Sequence, residues 1–235
     1  MDTYRSITPL VAIATIAACS GKTRDPHVFL LNGLDIPVSI TIDGDGGKQT
    51  IDVPARGRAT SEVSGLAKVK VTSAKGELIS ESQAQFGKRG GSPGCFRIFN
   101  VVGAAAYVNE EVAYGTGFGT PQYYRRAGDV TEDECYVSFP FVDPPKQITV
   151  DKFGPAGANR SWLHYEGDGS WVAAVGSLLD DTGQYASQSR GAAQRIVRAV
   201  VTHDPTNAAL PAIKARLTQM NLAFPEPSPG NLLGK

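Results

Sequence analysis

Val38-Ser39-Ile40-Thr41-Ile42 alternates apolar and polar side chains, the period of a strand with one face buried. The same period runs outward from it. Val28 to Leu31 lies upstream; Ile51 and Val53 follow, and then Val69 and Val71 between Lys68, Lys70 and Thr72. Asp43-Gly44-Asp45-Gly46-Gly47, Pro54 to Gly57 and Ala74-Lys75-Gly76 supply turn chemistry between these runs. Short strands about ten residues apart predict an antiparallel β-sandwich, immunoglobulin-like or similar. Cys95 to Val102 is apolar on both parities and is expected to be the most buried strand. Further strands are predicted at Ala106 to Tyr114, around Tyr136 to Phe139 and at Ile148 to Val150.

After Phe153 the chain passes through a glycine-rich link, Gly154 to Arg160, and the period becomes helical. Trp171, Val172, Val175, Leu178 and Leu179 share one helix face behind a Ser170 cap. A second helix aligns Ala192, Ala193, Ile196, Val197, Val200 and Val201, with Arg195 and Arg198 opposite, and Asp204-Pro205 ends it. A third, capped by Thr206 or Asn207, aligns Leu210, Ile213, Leu217 and Met220, with Pro211 tolerated in its first turn. The class is therefore α+β: a β-sandwich over 27–153, a three-helix segment over 154–224 packing on or beside it, and a mobile tail over 225–235.

The front of the chain carries an address. Ile7 to Ala18 is free of charge behind a short leader containing Arg5, a signal-peptide layout over residues 1–18. Twelve residues reach about 18 Å as a helix, too short for a hydrocarbon core of roughly 30 Å. Ile16-Ala17-Ala18-Cys19 resembles the lipobox of bacterial lipoproteins, in which small residues precede a cysteine that becomes the lipidated N-terminus. The resemblance implies acylation of Cys19, a lipid bilayer as partner, and a short lipidated tether over 19–26. Ser20, where the family's inner-membrane retention signal has Asp, implies the outer membrane in a two-membrane organism. The alternative is an ordinary cleaved signal in which Cys19 is incidental.

Without residues 1–18, 22 acidic and 22 basic side chains remain. That balance disfavours nucleic acid, because no excess of Lys and Arg is left to neutralise phosphates. Three cysteines would leave an odd thiol in an exported protein. With Cys19 given to lipid, Cys95 and Cys135 are candidates for a disulfide in an oxidising compartment; the alternative is two buried free thiols.

Trp171, Gly183, Tyr185 and Asp204-Pro205-Thr206-Asn207-Ala208 resemble a tetratricopeptide repeat over about 50 residues. The resemblance implies a helical hairpin. The Gly183-to-Asp204 spacing is about one helical turn too long for the repeat, so the hairpin is expected to pack on the sandwich instead.

Several motifs fail on context. Gly90-Gly91-Ser92-Pro93-Gly94 has the letters of a nucleophile elbow, but a strand follows where a helix is needed. Asp43 and Asp45 lack the remaining ligands of a calcium loop. Gly115-x-Gly117-x-Gly119 runs into Pro121, which removes a dinucleotide reading. It leads to Tyr123, Tyr124, Arg125 and Arg126, an aromatic and cationic stretch suited to ligand or partner contact, expected on a surface loop. His164, Glu166 and Asp168 would project from one face if extended, and could hold a metal or serve as acid and base. The main expectation is a noncatalytic envelope lipoprotein that binds an envelope protein or glycan and needs no cofactor. The alternative is a secreted hydrolase or metal-dependent enzyme using His164, Glu166 and Asp168.

Overall fold

The computed structural model describes residues 28–86, 95–115, 122–148 and 157–233. Strands occupy most of the chain before the helices: β1 (Val28–Asn32), β2 (Val38–Gly44), β3 (Gly47–Val53), β4 (Gly57–Ser61), β5 (Gly65–Ser73), β6 (Leu78–Phe86), β7 (Cys95–Asn100), β8 (Tyr107–Gly115), β9 (Tyr123–Arg126), β10 (Thr131–Cys135), β11 (Val137–Pro140) and β12 (Gly157–Tyr165). Three helices follow: α1 (Trp171–Asp180), α2 (Ala186–His203) and α3 (Leu210–Gln219). The class is α+β. The signal, the Cys19 tether, Gly90 to Gly94, Gly117, Gly119 and Thr149-Val150 lie outside the described residues.

The strands form three four-stranded sheets, ordered β10-β7-β1-β4, β11-β12-β8-β9 and β3-β2-β5-β6. The third is wholly antiparallel, with a hairpin at Asp45-Gly46 that brings Gly44 opposite Gly47. The first contains a parallel pair, β1 with β7, and the second another, β11 with β12.

β1 decides how the sheets stack. Alternate strand residues face opposite sides, and in β1 both sides are buried. Val28 and Leu30 join one core with Ile40, Ile42, Val69 and Val71 of the third sheet and with Trp171, Ile196, Val197 and Leu217 of the helices. Phe29 and Leu31 join another with Tyr107 of β8 and Leu163 of β12. There Phe141 is the aromatic hub, its ring 5.4 Å from Phe29, 6.1 Å from Tyr107 and 5.4 Å from Tyr165. The most buried strand is thus β1, not Cys95 to Val102. β7 stops at Asn100 because Val102 turns to φ 47° and the backbone enters a 3-10 turn.

Four further expectations are corrected. Residues 157–160, read as a link, open β12, which pairs with β8 along all nine residues, so the β-rich part runs on to Tyr165. The stretch from Tyr123 to Arg126 is an edge strand, not a loop. Arg195 does not face away from the protein: its guanidinium donates to the carbonyls of Val102, at 3.2 Å, and Gly128, tying α2 to the turn after β7. Gly103 is required there, since a Cβ would lie 2.2 Å from the Gly128 carbonyl oxygen. Finally, the tail is docked through residue 233. Ser228 N donates to Thr202 Oγ1 at 3.0 Å, Asn231 bonds to β6, and Leu232 and Leu233 pack on the main core.

Capping is legible in part. Ser170 caps α1 by accepting from Ala173 N at 3.4 Å. The α3 start is different: Ala209 occupies the cap position, and Asn207 Oδ1 accepts from Ala209 N at 3.0 Å in an Asx turn.

Candidate functional site

His164, Glu166 and Asp168 are held by three different partners. His164 sits on β12, its ring stacked on Trp162 at 3.9 Å. Nε2 is 3.0 Å from Glu110 Oε2 across the sheet, and Nδ1 is 3.0 Å from the Tyr165 carbonyl. Glu166, just past the strand, pairs with Arg125 at 2.5 Å. Asp168 accepts from Ser170 N at 3.1 Å and pairs with Arg56 at 2.5 Å. Its carboxyl is held below the usual range by the Ser170 hydrogen bonds, against burial, with Arg56 adding to the lowering. Gly167 and Gly169, at φ 57° and 68°, end the extended geometry that would have kept the three on one face. Among the described residues no three His, Cys, Asp or Glu side chains converge as a metal set.

The aromatic and cationic stretch divides between the two faces of its sheet. Tyr123 lies opposite Glu110, which lies opposite Trp162; Arg125, Val108 and His164 form the next row. Those two rows make the outer face, turned away from the core that Tyr107 and Leu163 enter, with Val108 fully buried within it. Tyr123 is 53% exposed there. Tyr124 and Arg126 belong to the other face, with Asn109 and Tyr107, toward β10.

Between β9, β8 and β10 lies a polar cluster that sequence reasoning missed. Tyr107 Oη donates to Glu132 at 2.6 Å, and Asn109 Nδ2 donates to Glu134 at 3.1 Å. Arg126 Nε is 3.0 Å from Glu132 Oε1 and 3.7 Å from Glu134 Oε1. The signal was present as Glu132-x-Glu134, two carboxylates on one face of a strand, but an acidic run reads as loop unless the strand is known. Burial pushes the Glu134 carboxyl up, and the Glu132 charge adds to it; Arg126 and Asn109 pull back only part of the way. Burial, then Glu132, also holds the Tyr107 hydroxyl far above its usual range, so it remains a donor.

A raised folded-state value gives a definite sign. Below the unfolded value of about 4.3 the Glu134 carboxyl is neutral in both states; as pH rises through the folded value its charge progressively opposes folding. Glu134→Gln is therefore expected to stabilise the protein at pH 7 by on the order of 1 kcal/mol, with the gain vanishing below about pH 4. Thermal unfolding at the two pH values checks this. A variant less stable than the parent at pH 7 would show that the charge itself holds the sheets together.

Cys95 and Cys135 are joined, with sulfurs 2.05 Å apart, and sit directly opposite each other in the β7–β10 ladder. No helix among the described residues is long and apolar enough to cross a membrane. No family model, curated protein or solved structure matches the chain.

Proposed function

We propose that the protein is a lipid-anchored component of a bacterial envelope, held to the bilayer through acylated Cys19, and that it acts as a noncatalytic binding module for an envelope protein or glycan. In a two-membrane organism Ser20 favours the outer membrane. The observation that carries the anchor is the Ile16-Ala17-Ala18-Cys19 lipobox behind its short apolar run. The Cys95–Cys135 bond supports export, since such bonds persist in oxidising compartments.

The commitment of His164, Glu166 and Asp168 to Glu110, Arg125 and Arg56 favours binding over catalysis. We read the outer face around Tyr123 and Arg125 as the contact surface. An aromatic ring beside a cation suits both a protein and a glycan ligand. The β-rich part is read as a sandwich, immunoglobulin-like or similar, with support from the two cores that flank β1. The tetratricopeptide-like hairpin is read as an annex to it, supported by the bonds from Trp171 and Asn207 to Asp35.

Two measurements test this reading. Metabolic labelling with a fatty acid should mark the parent and not Cys19→Ala; label that survives the change removes the anchor. A photo-crosslinking amino acid at position 123 should give adducts with envelope material in living cells, reduced by Arg125→Ala. Absence of adducts at 123, or adducts at 123 no stronger than at 124 on the opposite face, would remove the binding face.

A further inference from the structure

Among the described residues six strands lie at sheet edges: β3, β4, β6, β9, β10 and β11. Edge strands invite pairing with other chains unless charge, proline, shortness or a cover prevents it. Five of the six carry charge, proline or shortness in the strand itself. β3 has Lys48 and Asp52; β4 has Arg58; β9 has Arg125 and Arg126; β10 has Glu132, Asp133 and Glu134; β11 ends in Pro140 and spans four residues. β6 differs. At nine residues it is the longest of the six, it lacks proline and glycine, and its one charge, Glu81, is paired with Lys68 at 2.5 Å.

β6 is also the edge on which the C-terminal tail lies. Glu81 N donates to Asn231 Oδ1 at 2.9 Å, and Asn231 Nδ2 donates to Glu81 O at 2.8 Å. The asparagine amide thus occupies both backbone groups of one residue, as the peptide of a neighbouring strand would. Leu232 N then donates to the Ile79 carbonyl at 3.1 Å, while Leu232 and Leu233 sit on the main core.

We propose that the β6 edge is a pairing surface for a second copy of this chain, and that residues 227–233 are a strap that keeps it closed. Glu81 directs its N–H and C=O outward to the strap, and the two-residue alternation of a strand directs those of Gln83 the same way. An antiparallel pair about a two-fold axis at Ser82 sets Glu81 of each copy opposite Gln83 of the other, so no like charges meet. Two copies then share one eight-stranded sheet built from two β3-β2-β5-β6 sheets. This inference is independent of the binding face proposed above, which lies on another sheet.

Sedimentation velocity on chains that all carry Cys19→Ser, so that no lipid contributes, tests it. The full-length chain should sediment as one copy and the chain ending at Glu226 as two. Adding Gln83→Pro to the shortened chain removes one outward N–H without breaking the β5 ladder, and should return it to one copy. A shortened chain that stays monomeric with its circular dichroism intact overturns the proposal, as does a dimer that survives Gln83→Pro. If the shortened chain does not fold, full-length Asn231→Ala with Leu232→Pro gives the same decision: a shift to two copies supports the strap, and an unshifted monomer rejects it.

Discussion

Replacing Cys95 and Cys135 together by serine is expected to lower the unfolding free energy by about 4 kcal/mol, the chain-entropy value for a loop closed over 40 residues. The β10 sequence, Thr131-Glu132-Asp133-Glu134-Cys135, has low strand propensity, and the strand pairs with β7 alone. Beyond the ladder it is held by Arg97, opposite Asp133 in the register, which makes two hydrogen bonds to that carboxylate at 2.8 and 2.5 Å, and by the contacts of Tyr107, Asn109 and Arg126 with Glu132 and Glu134. Loss of the covalent link should therefore first free the β10 amides, seen as faster hydrogen exchange at 132–134. That would loosen the Glu132, Glu134 and Arg126 cluster between the sheets. Denaturant titration of the double variant, and of the parent under reductant, should give the same loss. A loss under about 1 kcal/mol would mean that the ladder and the side-chain contacts of β10 hold it without the covalent link.

Strands with one wet and one dry face announced themselves. Val38 to Ile42 and Val69 to Val71 read directly because polar residues separate their apolar ones. β6 escaped because a register shift opposite Val71/Thr72 breaks its alternation and only Glu81 of its outward residues is charged. β10 escaped because a disulfide and an arginine hold it, and neither enters a hydropathy pattern. β12 began with Gly157, and the composition hid a strand set by nine pairings with a segment some fifty residues away. The candidate site shows the same division. His164, Glu166 and Asp168 were visible as a two-residue spacing, but their partners come from β8, β9 and the turn before β4. Asp35 was not singled out at all. A lone acid after a strand carries no sequence signal, and its importance comes from what the fold brings to it.

Asp35→Ala should cost about 3 kcal/mol, because the buried indole of Trp171 and the half-buried amide of Asn207 lose an acceptor and the exposed Arg56 loses its ion-pair partner. Asp35 lies between β1 and β2 and receives Trp171 Nε1 at 3.0 Å, Asn207 Nδ2 at 2.6 Å and Arg56 Nε at 2.5 Å. Trp171, at the start of α1, is fully buried, so its indole N–H has no recourse to water when the carboxylate goes. Asn207, in the turn between α2 and α3, also donates to Asp204 at 2.7 Å. Arg56 carries the network on to Asp168. One carboxylate thereby fastens both ends of the helical hairpin to the sheets. Burial alone would raise the Asp35 carboxyl; hydrogen bonds from Arg56, Asn207 and Trp171, with the Arg56 charge, outweigh it and hold the group below its usual range. A lowered folded-state value contributes stability above the unfolded value of about 3.9, and that contribution is lost as pH falls through it toward the folded value. Asp35→Asn keeps an acceptor for the indole and removes the charge, so it should cost less than Asp35→Ala at pH 7. The gap between parent and Asp35→Asn should close on acidification below about pH 4. Urea titrations across that range separate the two contributions: a gap that persists unchanged in acid would assign the loss to packing around Trp171, and remove the carboxylate from its central place in joining helices to sheets.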